Sequence, residues 1–353
     1  MAGDVAFWLS SPFLYQESLD VWYRLFYSYN VISMRTKVMR NMIKTVASVG
    51  LPVGENWNIY KNRLEPETLT GNEMRLSIVT GVHGDELEGQ FVCYEINRII
   101  KENKDCLTGI VDIYPALNPL GIDSITRGLP GFDIDMNRIF PGDEEGAVSE
   151  HIASEIMADI KGSDFCVDLH ASNIFLREIP QIRMSEAHAK DLLPYAKQMN
   201  VDLVWIHENA VVLESTLSHG LNSIGVPTFV VEMGVGMRIT RNYGNQLTEG
   251  IFCLMKELGI WKGKTTKPRD PMISTSRKLG LLNAECPGIF MPLVEHLGTV
   301  KENQPIGQIL NPLDGTLLEE VVSPIDGLVF TLREYPVVSV GSLLARVLGG
   351  EEA

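Results

Sequence analysis

The sequence predicts an α/β fold, with a mixed, mostly parallel sheet flanked by helices, followed by a small all-β domain at the C-terminus. Three observations predict it. From about residue 75 to 260, strand-length apolar runs alternate with helix-length amphipathic segments, the pattern of a sheet covered by helices on both faces. Polar side chains suited to chemistry stand at the carboxyl ends of two of those runs, where open α/β sheets place their sites. Beyond a polar stretch, 262–271, the pattern changes to short β-branched runs separated by Gly and Pro turns, which argues for an all-β unit.

Taken in order, residues 1–33 are rich in Trp, Tyr and Phe but lack a basic leader region and a small-residue cleavage signal, so they do not read as a secretory peptide. They read as an added helix that packs on the body or on a partner subunit, with Met34 and Met39 as alternative starts. The extension is set at residues 1–40 and carries no assigned chemistry. Strands are expected at 76–80, 110–115, 165–169, 202–206 and 227–232, and helices at 86–103, 149–160, 186–199 and 244–258, within a larger domain spanning 41–265. The stretch from Lys262 to Pro271 reads as an interdomain linker. Residues 275–353 form the expected β domain, whose Pro324-Ile325-Asp326-Gly327-Leu328-Val329 turn resembles the barrel-sandwich fold of biotinyl and lipoyl carriers. A carrier needs a lysine on an exposed hairpin, and none follows Lys301. The domain is therefore expected to be a structural module that covers or pairs the larger one.

Composition narrows the function classes. The 353 residues, 45% hydrophobic, can bury a large core, and no apolar run is long enough for a transmembrane helix. Thirty basic against 45 acidic side chains give a net charge of -15 without a basic block, which disfavours nucleic acid and anionic membranes as partners. Five cysteines, Cys93, Cys106, Cys166, Cys253 and Cys286, are scattered and odd in number, as expected of free thiols in a reducing, cytoplasmic setting.

Two segments point to a metal. Gly81-Val82-His83-Gly84-Asp85-Glu86 follows the strand Arg75 to Thr80, and Asp168-Leu169-His170 ends the strand begun at Phe165. A His-x-x-Glu pair by itself recurs by chance, but His83 and Glu86 sit at a strand-to-helix turn with Gly81 and Gly84 to tighten it, while a distant strand delivers His170. Two imidazoles and one carboxylate are a recurrent zinc set for amide hydrolysis, because a catalytic zinc needs three protein ligands and an open position for water.

Two further segments bear candidate groups. The Gly- and Pro-dense stretch from Arg127 to Gly142 reads as a surface loop, and its Asn137 and Arg138 are suited to grip a carboxylate; a solvated arginine beside a turn asparagine is the other reading. Glu232 ends the apolar run Thr228 to Val231. A carboxylate there suits a general base tuned by its surroundings, or is simply exposed.

Gly81 to Glu86, Asp135-Met136-Asn137-Arg138 followed by Phe140-Pro141-Gly142, Asp168-Leu169-His170 and Val231-Glu232-Met233-Gly234 resemble, in this order, the motifs of the succinylglutamate desuccinylase/aspartoacylase family. The resemblance extends over roughly residues 70 to 345, since a β-rich tail is also a family feature. It implies the zinc carboxypeptidase fold, one zinc per chain on His83, Glu86 and His170, and Glu232 as base and proton shuttle. It further implies that Asn137 and Arg138 hold the substrate carboxylate, that Asp135 accepts a hydrogen bond from the ring of His83, and that Arg127 polarises the scissile carbonyl. Pro180-Gln181-Ile182-Arg183 resembles the segment after the last ligand in bacterial relatives, which places Arg183 against the substrate.

The implied activity is that of a zinc-dependent amidohydrolase, a deacylase acting on an N-acyl amino acid or a similar small carboxylate-bearing amide. Two alternatives stay open: a zinc carboxypeptidase acting on peptides, and a non-catalytic protein that binds a small ligand. A homo-oligomeric state is likewise left open.

Overall fold

A computed structural model describes residues 43–132, 134–208, 214–275 and 279–349. The chain divides into two units, residues 1–44 and 45–353. The N-terminal extension expected at 1–40 lies outside the described residues; the central sheet, its helices and the C-terminal strands belong to the second unit.

Four strands form the parallel centre: β3 (Arg75–Thr80), β4 (Ile110–Tyr114), β5 (Phe165–Ala171) and β8 (Thr228–Gly234), side by side as β4-β3-β5-β8. All seven residues of β5 are buried. This is why the parallel strands read as continuous apolar runs, since helices cover such sheets on both faces. Antiparallel strands flank the centre. On one side, β2 (Asn56–Leu64) joins β4 and is itself joined by β1 (Ile43–Gly50); on the other, β6 (Leu176–Ser185) joins β8. The sheet is thus mixed, as the sequence predicts.

The helices bury the stripes that their sequences present. In α1 (Glu88–Glu102), Val92, Cys93, Ile96 and Ile100 are buried, at helical spacing, while Arg98 on the outer face bonds Glu95 and Glu102. This helix packs on β3, β5 and α6 (Arg241–Glu257). The apolar face of α3 (Val148–Ile160) meets α5 (Leu217–Ser223) over a core that includes Val79, Tyr114 and Cys166. Two more helices complete the set, α2 (Pro119–Ser124) and α4 (Glu186–Ala196).

The C-terminal strands join the main sheet. One edge of β6 faces β8, and its other edge is shared. Gln181 to Ser185 pair in parallel with β7 (Leu203–His207), and Leu176 to Glu178 pair antiparallel with β15 (Gly327–Arg333). From β15 the sheet continues through β17 (Leu343–Leu348) to β10 (Leu279–Asn283), while β9 (Met272–Ser274) lies beside β7 and the short β12 (Thr299–Val300) beside β15. A separate antiparallel sheet runs β14 (Leu317–Val322), β13 (Pro305–Leu310), β11 (Gly288–Pro292), β16 (Val337–Val338). Phe290, Ile306, Ile309, Val329 and Leu344 fill the core between them. The stretch 262–271 has no regular element and is tied down by the Lys262 N–H on Cys106 O at 2.9 Å and by Arg269 on Asp202 at 2.7 Å.

Strand and helix positions follow the expected ranges to within a few residues, yet β1, β2, β6, α2 and α5 have no counterpart among them. Their sequences explain this. Both β2 and β6 interleave Lys, Arg, Asn, Glu and Gln with apolar residues, and α2 and α5 span only six and seven residues, too short to show a helical period.

Candidate active site

The turn after β3 brings the first two candidate ligands inward. Gly81 has φ +68°, in the left-handed region open to glycine. At Gly84 a Cβ would meet the Gly121 carbonyl carbon at 2.1 Å. Glycine there lets the loop bearing Arg127 lie directly on the turn, and the Gly84 N–H donates to Arg127 O at 3.1 Å.

His83, Glu86 and His170 converge in the interior, each 3–4% exposed. Their ligand atoms all lie within 4.8 Å of one another. Glu86 sits between the rings: Oε1 is 2.7 Å from His83 Nδ1, and Oε2 is 2.9 Å from His170 Nδ1. Arg127 Nη1 at 2.7 Å and the Ala171 N–H at 3.0 Å also donate to this carboxylate. Burial favours its neutral form, but the charges and hydrogen bonds of His170 and His83 outweigh that and hold Glu86 well below the usual carboxylate range. The outer nitrogen of His83 is hydrogen-bonded to a carboxylate, and that of His170 has one nearby. His83 Nε2 is hydrogen-bonded to Asp135 Oδ1 at 3.0 Å, whereas the fully buried Asp168 lies at an ion-pair distance of 3.2 Å from His170 Nε2 without a hydrogen bond to it. A carboxylate on the outer nitrogen fixes the tautomer that leaves Nδ1 free to ligate. Two imidazole nitrogens and a carboxylate, buried and pre-oriented, are a donor set that fits zinc.

The same Asp135 oxygen accepts the Asn137 N–H at 2.9 Å, so one carboxylate orients both the His83 ring and the short 3₁₀ turn at 136–138. Asn137 Oδ1 accepts from Leu217 N at 3.0 Å, at the start of α5, which leaves its NH₂ group as the remaining donor. Arg127 is half-exposed and also lies 3.0 Å from His83 Nε2. Glu232 stands opposite His170 in the β5–β8 register, and its Oε1 is 3.3 Å from Arg183 Nη1. Burial raises the Glu232 carboxyl above its ordinary value, with Arg183 and His170 opposing.

These groups open onto one cavity of about 600 Å³, of the size that takes small ligands. The three candidate ligands, Arg127, Asn137, Arg138, Arg183 and Glu232 all line it. Asp135 stands behind His83 and is not part of the wall. Four arginines reach this cavity in a chain of net charge -15. Three are paired: Arg127 with Glu86, Arg183 with Glu232 and Glu178, and Arg346 with Glu178. Arg138 alone of the four has no carboxylate partner among the described residues, its Nη1 donating to Asn137 O at 2.7 Å.

Sequence reasoning gave Asp168 no role beyond its place in the Asp168-Leu169-His170 segment, and it did not single out Glu178, Trp205 or Arg346. The role of Asp168 could have been found, because it is two residues from His170 on the same strand and a strand repeats its face every second residue. The other three depend on strand neighbours that no local pattern reveals.

A family model described as the succinylglutamate desuccinylase/aspartoacylase catalytic domain matches residues 72–258, just over half of the chain. The N-alpha-acetyl-L-2,4-diaminobutyric acid deacetylase of Halomonas elongata is 26% identical over 238 residues, 63% of this chain; the match spans 66% of that protein's length. Among solved structures, the succinylglutamate desuccinylase/aspartoacylase of Rhodobacter sphaeroides superposes with a TM-score of 0.74 at 22% identity, covering 88% of this chain and 96% of that one. The product-bound ectoine utilization protein EutE (DoeB) of Ruegeria pomeroyi gives 0.74 at 18% identity, covering 87% and 95%. At such identities the structures speak for the shared fold, and the family model carries the assignment: the chain belongs to the succinylglutamate desuccinylase/aspartoacylase family.

Proposed function

We propose that this chain is a zinc-dependent deacylase that hydrolyses the amide of an N-acylated amino acid or a similar small amide bearing a carboxylate. The observation that carries the reading is the juxtaposition, in one cavity, of a buried His-Glu-His donor set, a carboxylate at Glu232 and a guanidinium at Arg138 with no carboxylate partner among the described residues. The family and the deacetylase relative agree with amide hydrolysis. We assign residues 41–265 to the catalytic domain and 275–353 to a module that completes the cavity, and leave 1–40 without a role. The five unpaired cysteines fit a cytoplasmic setting.

His83, Glu86 and His170 would hold the ion, which supplies a water acidic enough to attack near neutral pH and polarises the scissile carbonyl. Glu232 takes a proton from the attacking water and passes it to the amine nitrogen as the C–N bond breaks. The products are a carboxylate and an amine. Arg127 donates to the carbonyl oxygen as its negative charge develops, a contribution of about 3 kcal/mol for a well-placed donor. Arg138 and the Asn137 NH₂ grip the substrate carboxylate, and Arg183 steadies Glu232 at the substrate side of the cavity.

The test is a panel of N-acetyl and N-succinyl derivatives of Asp, Glu and 2,4-diaminobutyrate, their carboxamides, and a peptide series, with zinc measured in the same preparation. Hydrolysis of the free acids is expected, with carboxamides poor. Preferential cleavage of the peptides, or no turnover by zinc-loaded protein, would refute the reading.

Arg138→Ala should then lower kcat/KM on the free acids by roughly 2–5 kcal/mol while zinc stays bound, by analogy with buried charge pairs. Converting the substrate carboxylate to an amide should lose a similar increment with the wild-type enzyme and little more with the variant. Strictly additive losses would show that Arg138 does not touch that carboxylate.

A further inference from the structure

The last strand of the fold supplies an arginine to the cavity. Across β6, β15 and β17 the residues Glu178, Thr331 and Arg346 stand at matched positions, Thr331 paired with Glu178 on one side and with Arg346 on the other. Matched residues of neighbouring strands share a face, and here Glu178 and Arg346 both line the cavity. Glu178 is 2% exposed, and its two oxygens divide their work. Oε2 accepts from Gln181 Nε2 at 2.8 Å and from Thr331 Oγ1 at 2.6 Å; Oε1 accepts from Arg346 Nη1 at 2.9 Å and from Arg183 Nη2 at 3.3 Å. Arg183 in turn reaches Glu232 Oε1 with Nη1 at 3.3 Å. Both guanidinium groups lie near the Trp205 ring, 5.3 and 5.8 Å from its centre, an arrangement that lets two like charges share one pocket. The contacts form a continuous series, Arg346 to Glu178 to Arg183 to Glu232.

Charge decides what this series does. Glu178 and Glu232 compete for Arg183, and both contacts, at 3.3 Å, are longer than the usual charge-assisted bond of about 2.7–2.9 Å. The guanidinium is therefore shared and closes on neither. Arg346 satisfies Glu178 at 2.9 Å, which is what leaves Arg183 free to reach Glu232. Without Arg346, a buried carboxylate would face a single shared cation, and leaving such a charge short of partners is costly. Arg183 would be drawn off Glu232. We propose that Arg346 is a positioning residue for Glu232, acting through Glu178 and Arg183, so that the C-terminal strand completes the active site. The inference rests on the reading of Glu232 as the base.

The test uses the full-length, zinc-loaded chain and the best substrate of the panel. Arg346→Met should lower kcat by at least about tenfold, the scale of loss that a displaced catalytic group produces, with KM within about twofold and zinc content unchanged. Arg346→Lys, which keeps a cation on Glu178, should recover part of the loss. The double variant Arg346→Met/Glu178→Gln is the decisive comparison, because a neutral, near-isosteric residue at 178 no longer competes for Arg183. Its kcat should return to within about threefold of wild type, a coupling between neighbouring sites that a double-mutant comparison detects. A merely structural role predicts the opposite, since a second buried substitution would add to the loss. The inference is overturned if Arg346→Met keeps kcat within about twofold of wild type, or if the double variant is no faster than the single one. Should Arg346→Met not fold, Arg346→Gln with and without Glu178→Gln gives the same comparison. The two readings fail separately: a Glu232→Gln variant within about threefold of wild type removes the base assignment, whereas a Glu232→Gln variant slower by about 10²–10⁴-fold beside a fully active Arg346→Met overturns only the role of Arg346.

Discussion

Replacing Glu232 by Gln is expected to leave a folded, zinc-loaded protein whose kcat is lower by about 10²–10⁴-fold, the usual contribution of a general acid–base group. The amide has nearly the shape of the carboxylate, so the strand and the cavity wall should be undisturbed. What it cannot do is accept a proton. The contact from Arg183 at 3.3 Å can still be made to the amide oxygen, so a loss of rate without loss of metal isolates proton transfer from positioning. If the carboxylate acts on the attacking water and on the departing amine, as proposed, kcat should fall on every substrate that the enzyme accepts. The corresponding change in KM should be small. Measurement of kcat, KM and bound zinc in one preparation decides the matter: a variant within about threefold of wild type rules Glu232 out as the base.

Much of the centre of the fold was legible because it is parallel and buried. Runs such as Phe165-Cys166-Val167-Asp168-Leu169 announce themselves by apolar continuity, and the following His170 is placed by the end of the run. The same logic located His83 and Glu86, since Gly81 and Gly84 mark the turn that carries them. The mixed strand β6 was not legible. Its Arg177, Glu178, Gln181 and Arg183 are polar residues in a strand whose neighbours are mostly other strands, so their partners lie across the sheet and leave no local period. Glu178 shows this most plainly. It bonds Thr331 and Arg346, more than 150 positions away, and only the pairing of β6 with β15 brings them together.

The sequence also separates the tail from the body more sharply than the structure does. The composition changes after the polar stretch 262–271 and reads as a linker followed by a distinct β unit. The structure continues the main sheet from β6 into β15 and β17, and residues 45–353 form one compact unit. Linker-like composition reports solvent exposure and chain polarity; it does not report whether the strands beyond it find an open edge. Here the N-terminal half of β6 offers that edge. A β domain that joins the sheet this way contributes a wall to the cavity through Arg346.

His83→Ala and His170→Ala should each reduce bound zinc from about one per chain to a small fraction, with turnover falling in parallel, since a catalytic zinc has three protein ligands and none to spare. Asp135→Ala is expected to weaken the metal by about 10–100-fold, because it removes the carboxylate 3.0 Å from His83 Nε2 that would hold the proposed ligand in its ligating tautomer. The pH dependence follows from the same contacts. Burial lowers the His83 pKa, but Glu86 and Asp135 more than offset this and raise it above 6.5. His170, likewise opposed by burial, is lifted well above 6.5 by Asp168 and Glu86. In the metal-free protein these rings therefore keep their protons to higher pH than an ordinary histidine, and zinc must displace protons to bind. Apparent zinc affinity should be full at alkaline pH and decline as pH falls, with the decline beginning above pH 6.5. Calorimetric titration of the apoprotein at several pH values in buffers of different ionisation enthalpy gives both affinity and proton release. Zinc retained at wild-type level in either histidine variant, or binding without proton release near neutrality, would remove His83, Glu86 and His170 as the metal site.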